Sequence, residues 1–153
     1  SSEFLEIPAT MIGEEPVASL NAKICSVFEE FEPTHVFSPF PDRHIDHRLI
    51  FESVMVASRP VNYGKKIELL AAYETLSETH WNAPNIEPNF SPNFYINITE
   101  YIEKKLDILS LYKSQIVGNN SRSPEAIKAL AKFRGSQNGH SYAEAFQLIR
   151  QVF

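Results

Sequence analysis

The sequence predicts an α/β fold, and three observations carry that expectation. Helical and β-like patterns alternate between Pro16 and Glu74. Runs such as His35-Val36-Phe37-Ser38 are too short for helices and lie between prolines, as buried strands do. The chemically densest stretch, Pro41-Asp42-Arg43-His44-Ile45-Asp46-His47-Arg48, falls between a strand pattern and a helix pattern, where open α/β sheets bind ligands.

At 153 residues the chain has the length of one domain with a sizeable core. Its opening run, Phe4-Leu5-Glu6-Ile7-Pro8, reads as a strand or the exit of one. Pro16 offers a helix start, and Leu20, Ile24, Val27, Phe28 and Phe31 recur at helical spacing until Pro33. The lone cysteine, Cys25, lies in this pattern; it cannot form an internal disulfide and reads as a small core residue. Beyond the histidine-rich turn, Ile50, Val54 and Ala57 mark a second helix. Ile67 to Glu74 is mostly apolar and reads as another strand. Prolines at 84, 88 and 92 exclude regular helix and central strand between Ser77 and Pro92, which predicts a long surface loop. Phe94-Tyr95-Ile96-Asn97-Ile98 resumes a β-like run. Asn97 with Glu100 resembles a capping box, opening a helix through Ile102, Leu106, Leu109 and Ile116 to a stop near Gly118. Ser123-Pro124 is an N-cap and N1 pair for a helix that closes at Gly135. Ser141 with Glu144 makes a second capping box, which predicts a final helix through Phe146, Ile149 and Phe153.

Composition narrows the partners. The net charge is -5 and the pI near 5.5, with no basic patch, so nucleic acid is not an expected partner. No apolar run reaches membrane-spanning length and no signal-peptide pattern opens the chain, so the expected location is cytoplasmic.

The chemistry of the 41–48 stretch favours a metal. Neutral imidazole and carboxylate are ordinary ligands of zinc and related ions, and a histidine is oriented when its second nitrogen donates to an acid. His44 and His47 share a face if the segment is already helical; if the turn is still extended at Asp46, His44 and Asp46 share one instead. A catalytic zinc takes about three protein ligands and leaves a position for water, so further donors must come from elsewhere. Without function, Asp46 would cap the following helix, and the histidines and Arg43 would be solvated loop residues. His-x-Asp-His behind a Pro-x-Pro break weighs the balance toward function.

Four blocks taken in order carry a family resemblance. They are Pro41 to Arg48; Tyr73-Glu74-Thr75-Leu76-Ser77-Glu78-Thr79-His80-Trp81; Phe94 to Tyr101 leading to Tyr112-Lys113-Ser114-Gln115; and Tyr142-Ala143-Glu144-Ala145-Phe146. Together they resemble the LmbE-like, or PIG-L, de-N-acetylases over nearly the whole chain. The resemblance implies a Rossmann-like, LmbE-type three-layer α/β sandwich. It also implies a zinc-dependent hydrolase that uses a metal-activated water to remove the N-acetyl group from an N-acetylglucosamine-type sugar. By the same resemblance His47 is a zinc ligand, His44 stabilises the tetrahedral intermediate, and Asp46 tunes the histidines. Asp42 and Arg43 would touch sugar hydroxyls or a substrate anion, or else pair with each other on the surface. Tyr142 is a further expected substrate contact.

The family's His-Pro-Asp-Asp-Glu motif, source of the other two zinc ligands and the general base, has no counterpart here. Residues 1–153 are therefore expected to be the C-terminal portion of such a domain, inactive until a segment carrying that motif joins it. The alternative is a non-catalytic sugar-binding or regulatory relic of the same fold. A metallo-β-lactamase-type His-x-His-x-Asp-His string also overlaps the turn, but Asp42 stands where its first histidine belongs and Arg48-Leu49-Ile50 replaces the glycines that follow.

Overall fold

Helix α1 (Val17–Phe31) forms where the apolar spacing predicts it, burying Leu20 and Phe28, and ends as Glu32 turns left-handed at φ 44° before Pro33. The computed structural model describes residues 2–116 and 120–153. Strand β1 (His35–Pro39), helix α2 (Ile45–Ala57) and strand β2 (Leu69–Tyr73) form a β-α-β unit whose strands run parallel, His35 opposite Leu69 and Pro39 opposite Tyr73. β2 is buried along Leu69–Ala72 because it lies inside the sheet. The sheet is completed by β3 (Phe94–Asn97) and β4 (Ala143–Gln151) in the order β1-β2-β4-β3, with β4 antiparallel to both neighbours.

Adjacent residues of β1 point to opposite faces of the sheet. Val36 packs with Phe28, Val54, Ala57, Ile67 and Leu70, so α1 and α2 cover one face. Phe37 packs against Phe146, the ring centroids 4.9 Å apart and the planes tilted by 51°, and faces a cavity walled in part by Ile127 and Leu130 of helix α5 (Pro124–Ser136), which lies on the other. A second cluster, Ile98, Ile102 and Ala131, joins α5 to helix α3 (Ile102–Ser110). Among the described residues no helix is long and apolar enough to cross a membrane.

The α/β expectation holds, and several local expectations do not. Phe4–Pro8 is not a strand: Glu6 takes φ 55°, which breaks an extended run, and Phe4 is left 75% exposed. Asn97 caps no helix; its Oδ1 accepts from the Thr99 N–H and hydroxyl, closing a turn before α3. The helix expected from Ile102 to Gly118 is interrupted at Leu111 and Tyr112 and resumes as α4 (Lys113–Ile116), while its stop near Gly118 lies outside the described residues. Ser123 does cap α5, its Oγ accepting the Ala126 N–H at 3.1 Å.

The final segment is the largest departure, a strand where a helix was expected. Glu144 does not reach back to Ser141; it pairs with Lys105 Nζ at 2.6 Å. The ladder bonds to β2 and β3, with Ala143, Ala145 and Phe146 buried, outweigh the local capping signal. The turn that delivers β4 folds tightly onto α5. A side chain at Gly135 would meet His140 O at 2.5 Å and Tyr142 N at 2.8 Å.

Candidate active site

The chain leaves β1 with its backbone still tied to β2, Phe40 N–H donating to Tyr73 O at 2.9 Å. The next turn directs Asp42 inward until it is 1% exposed. There its Oδ1 accepts the His44 N–H at 3.0 Å and meets His47 Nδ1 at 2.8 Å, while Oδ2 accepts the Thr79 hydroxyl at 2.8 Å. Burial alone would raise the Asp42 carboxyl. The bonds from His47, the His44 N–H and Thr79 outweigh it and hold the group below its ordinary value.

An ionised carboxylate only accepts, so the proton in the His47 contact sits on Nδ1, and neutral His47 keeps its lone pair on Nε2. His44 is placed the opposite way. It is the N-cap of α2, and its Nδ1 accepts the Asp46 N–H at 3.1 Å, so neutral His44 carries its proton on Nε2. The rings stack with centroids 4.7 Å apart, and both line one cavity of about 410 Å³. It lies past the carboxyl ends of the two parallel strands, where the sheet architecture directs ligands.

Polar groups from distant segments complete this cavity. Arg122 donates to Ser77 Oγ, Glu78 Oε1 and Gln115 Oε1 at 3.0, 3.2 and 2.6 Å, holding Ser77 at its left-handed φ of 80°. Glu78, Gln115 and Arg122 all face the cavity, as does Tyr112. A larger and more apolar cavity, about 570 Å³, shares the walls Thr75, Leu76 and Ile127. The four charged side chains lining it are used in two ion pairs, Arg134 with Glu74 and Lys105 with Glu144.

Of the residues singled out from sequence, His44, His47 and Asp42 are brought together, Asp42 in another role than the one expected, while the remaining ones are placed elsewhere. Asp42 offers no surface to a sugar; it supports His47 from below. Asp46 is not the acid beside His47. Its Oδ2 accepts the Thr10 N–H at 2.7 Å, its Oδ1 is buried without a partner, and only its backbone N–H reaches His44. Arg43 is exposed and reaches Trp81 O at 3.3 Å, anchoring the Ser77–Pro92 loop. Tyr142 packs against the Ile98 cluster and is not on the wall of the histidine cavity. Thr79, Glu78, Gln115 and Arg122 are not legible as site residues in the sequence, because only folding brings them near the histidines. Their signal is position alone: Glu78 and Thr79 fall inside the second block of the resemblance and Gln115 inside the third.

Among the described residues no three His, Cys, Asp or Glu side chains assemble into a group that could hold a metal. His47 nonetheless has the form of a single ligand, Nδ1 held by a buried carboxylate and Nε2 left with its lone pair.

The sheet and the β-α-β unit give this chain the fold of the LmbE/PIG-L deacetylases over most of its length. It is 26% identical over 140 residues to the diacetylchitobiose deacetylase of Thermococcus kodakarensis, a match that covers 86% of this chain and 51% of that protein. The chain thus spans about half the length of the curated relative it matches. Among solved structures, the conserved protein TT1542 from Thermus thermophilus superposes with a TM-score of 0.69 at 26% identity, over 88% of this chain and 60% of that one. The N,N'-diacetylchitobiose deacetylase from Pyrococcus horikoshii gives 0.61 at 21% identity, over 88% and 52%. GalB, the 4-carboxy-2-hydroxymuconate hydratase from Pseudomonas putida KT2440, gives 0.71 at 20% identity, over 100% and 66%. No family model matches the chain.

Proposed function

We propose that this chain forms the histidine-bearing part of a zinc-dependent N-deacetylase acting on an N-acetylglucosamine-type sugar. The observation that carries the reading is the opposed bonding of two rings that line one cavity: His47 Nδ1 meets a carboxylate, whereas His44 Nδ1 accepts an N–H, so the neutral rings carry their protons on opposite nitrogens. Amide hydrolysis uses both, a metal ligand beside a hydrogen-bond donor for the developing oxyanion.

His47 Nε2 is the donor atom this chain contributes to zinc, oriented by Asp42. When bound, zinc lowers the pKa of water to about 7 and polarises a carbonyl. The His44 Nε2–H donates to the carbonyl oxygen as its negative charge grows. Glu78, Gln115 and Arg122 offer the polar wall that sugar hydroxyls require. The remaining ligands and the general base come from polypeptide outside the described residues, so 1–153 is one portion of a larger deacetylase domain.

A hydratase shares the fold, so the reaction and not the architecture must decide. The test is acetate release from N,N'-diacetylchitobiose by the chain alone and by a folded chimera that places the N-terminal half of the Thermococcus enzyme before it. Zinc-dependent release by the chimera alone supports the reading. Release by the isolated chain would overturn the divided site. Sugar binding without release in either would establish a binding module instead.

A further inference from the structure

Thr79 has no place in the chemistry above, yet its side chain is committed to it. The residue is 6% exposed. Its hydroxyl accepts the Thr75 N–H at 2.8 Å and donates to Asp42 Oδ2 at 2.8 Å. A hydroxyl has a single proton, and with the Thr75 N–H on one lone pair that proton is directed at the carboxylate. The other carboxylate oxygen holds His47 Nδ1 and accepts the His44 N–H. Asp42 is therefore gripped at both ends, by a ring and a backbone N–H on one side and a loop hydroxyl on the other.

We infer that Thr79 is a positioning residue for His47: by fixing the Asp42 carboxylate it keeps the His47 proton on Nδ1 and Nε2 free for a ligand's role. The hydroxyl is itself well placed to do so. Thr79 N–H returns to Thr75 O at 3.0 Å, closing a turn whose middle residue, Ser77, is held by Arg122. Asp42 is 1% exposed, so water has no access to replace a lost donor. Without the hydroxyl Oδ2 has no donor, the carboxylate can swing about the bonds to Oδ1, and the His47 proton is less firmly confined to one nitrogen. The consequence for metal rests on the reading of His47 as a ligand; the consequence for the tautomer does not.

Loss of a group that orients a ligand lowers metal affinity by about 10–100-fold, and Thr79 stands one bond further out, so about tenfold is expected. The experiment compares Thr79→Val and Thr79→Ser with the unsubstituted chain. Two-bond 15N–1H correlation spectra of the metal-free protein read the His47 tautomer, and zinc titration of the zinc-competent chimera reads affinity. The expected result is the Nδ1–H tautomer in the parent and in Thr79→Ser. Thr79→Val should show the Nε2–H form alongside it and zinc binding weakened by about tenfold. A folded Thr79→Val that keeps the parent's tautomer overturns the inference. If Thr79→Val does not fold, the parent decides: the Thr79 hydroxyl proton must exchange slowly, and exchange at the rate of a free threonine hydroxyl overturns the inference. Should the tautomer move while the chimera with an unsubstituted Thr79 binds no zinc, the deacetylase reading fails and the role of Thr79 stands.

Discussion

His44 and His47 stack at 4.7 Å with 24° between their planes, yet each is bonded so as to present the opposite of what the other presents. The contrast arises from position alone. His44 stands just before α2, where the first N–H groups of the helix need acceptors. His47 stands one turn in, where its ring reaches back to the carboxylate that precedes the helix.

The two rings should therefore fail differently when removed. In the zinc-competent chimera, His47→Ala is expected to lower bound zinc and rate together, with partial rescue by excess zinc. His44→Ala is expected to keep the metal and lower turnover by about 100- to 1,000-fold, as for loss of one oxyanion donor. Metal analysis beside initial rates checks this, and the reverse pattern would exchange the two roles.

Asp42→Asn tests the support beneath His47. The amide keeps the shape but removes the charge that fixes the His47 proton on Nδ1. Zinc affinity is expected to fall by about 10–100-fold while the circular dichroism spectrum is unchanged. Affinity within about twofold of the parent would mean that the carboxylate is not what orients the ring.

Glu74 and Arg134 form a two-point ion pair at 2.8 and 2.6 Å, with His80 a further 3.1 Å from the same carboxylate. Burial would raise the Glu74 carboxyl, but the bonds from His80 and Arg134 hold it below its ordinary 4.5. A depressed folded value contributes stability above the unfolded one and loses it as pH falls through the folded one. Denaturant midpoints should therefore decline below about pH 4.5, and Glu74→Gln should flatten that decline. Near neutral pH, Arg134→Ala leaves a buried charge without its main partner and is expected to cost about 3 kcal/mol. A loss under about 1 kcal/mol would show the pair to be screened by water.

Gly135→Ala places a methyl group against backbone of the turn before β4, where no side chain can move aside. The expected destabilisation is about 1–3 kcal/mol, measured by urea unfolding. An unchanged midpoint would show that the α5–β4 turn yields.

Periodicity made α1, α2, α5 and the first three strands legible, because each is supported locally as well as by the core. β4 was not, since Phe146, Ile149 and Phe153 recur at spacings a helix also satisfies, and its strand state depends on β2 and β3 being present to pair with. At the site, the histidines could be read because their chemistry is visible in one stretch. Asp42 could be read as a site residue but not in its place beneath His47: in sequence it is a charged turn residue expected at a sugar, and the Thr79 hydroxyl that bonds it lies 37 positions away. Its neighbour in composition, Asp46, looks the better partner for the histidines, but the first turn of α2 carries its carboxylate to Thr10.

β1 bonds to β2 alone among the described residues, and the histidine turn follows directly from it. A strand added along the open side of β1 that brought metal donors to His47 would link two equilibria. The factor by which it tightened zinc would equal the factor by which zinc tightened its own attachment, since coupling free energies are reciprocal. Assembly would then follow the free zinc concentration: withdrawing the ion with a chelator would loosen the joint without any contact along the strand being altered.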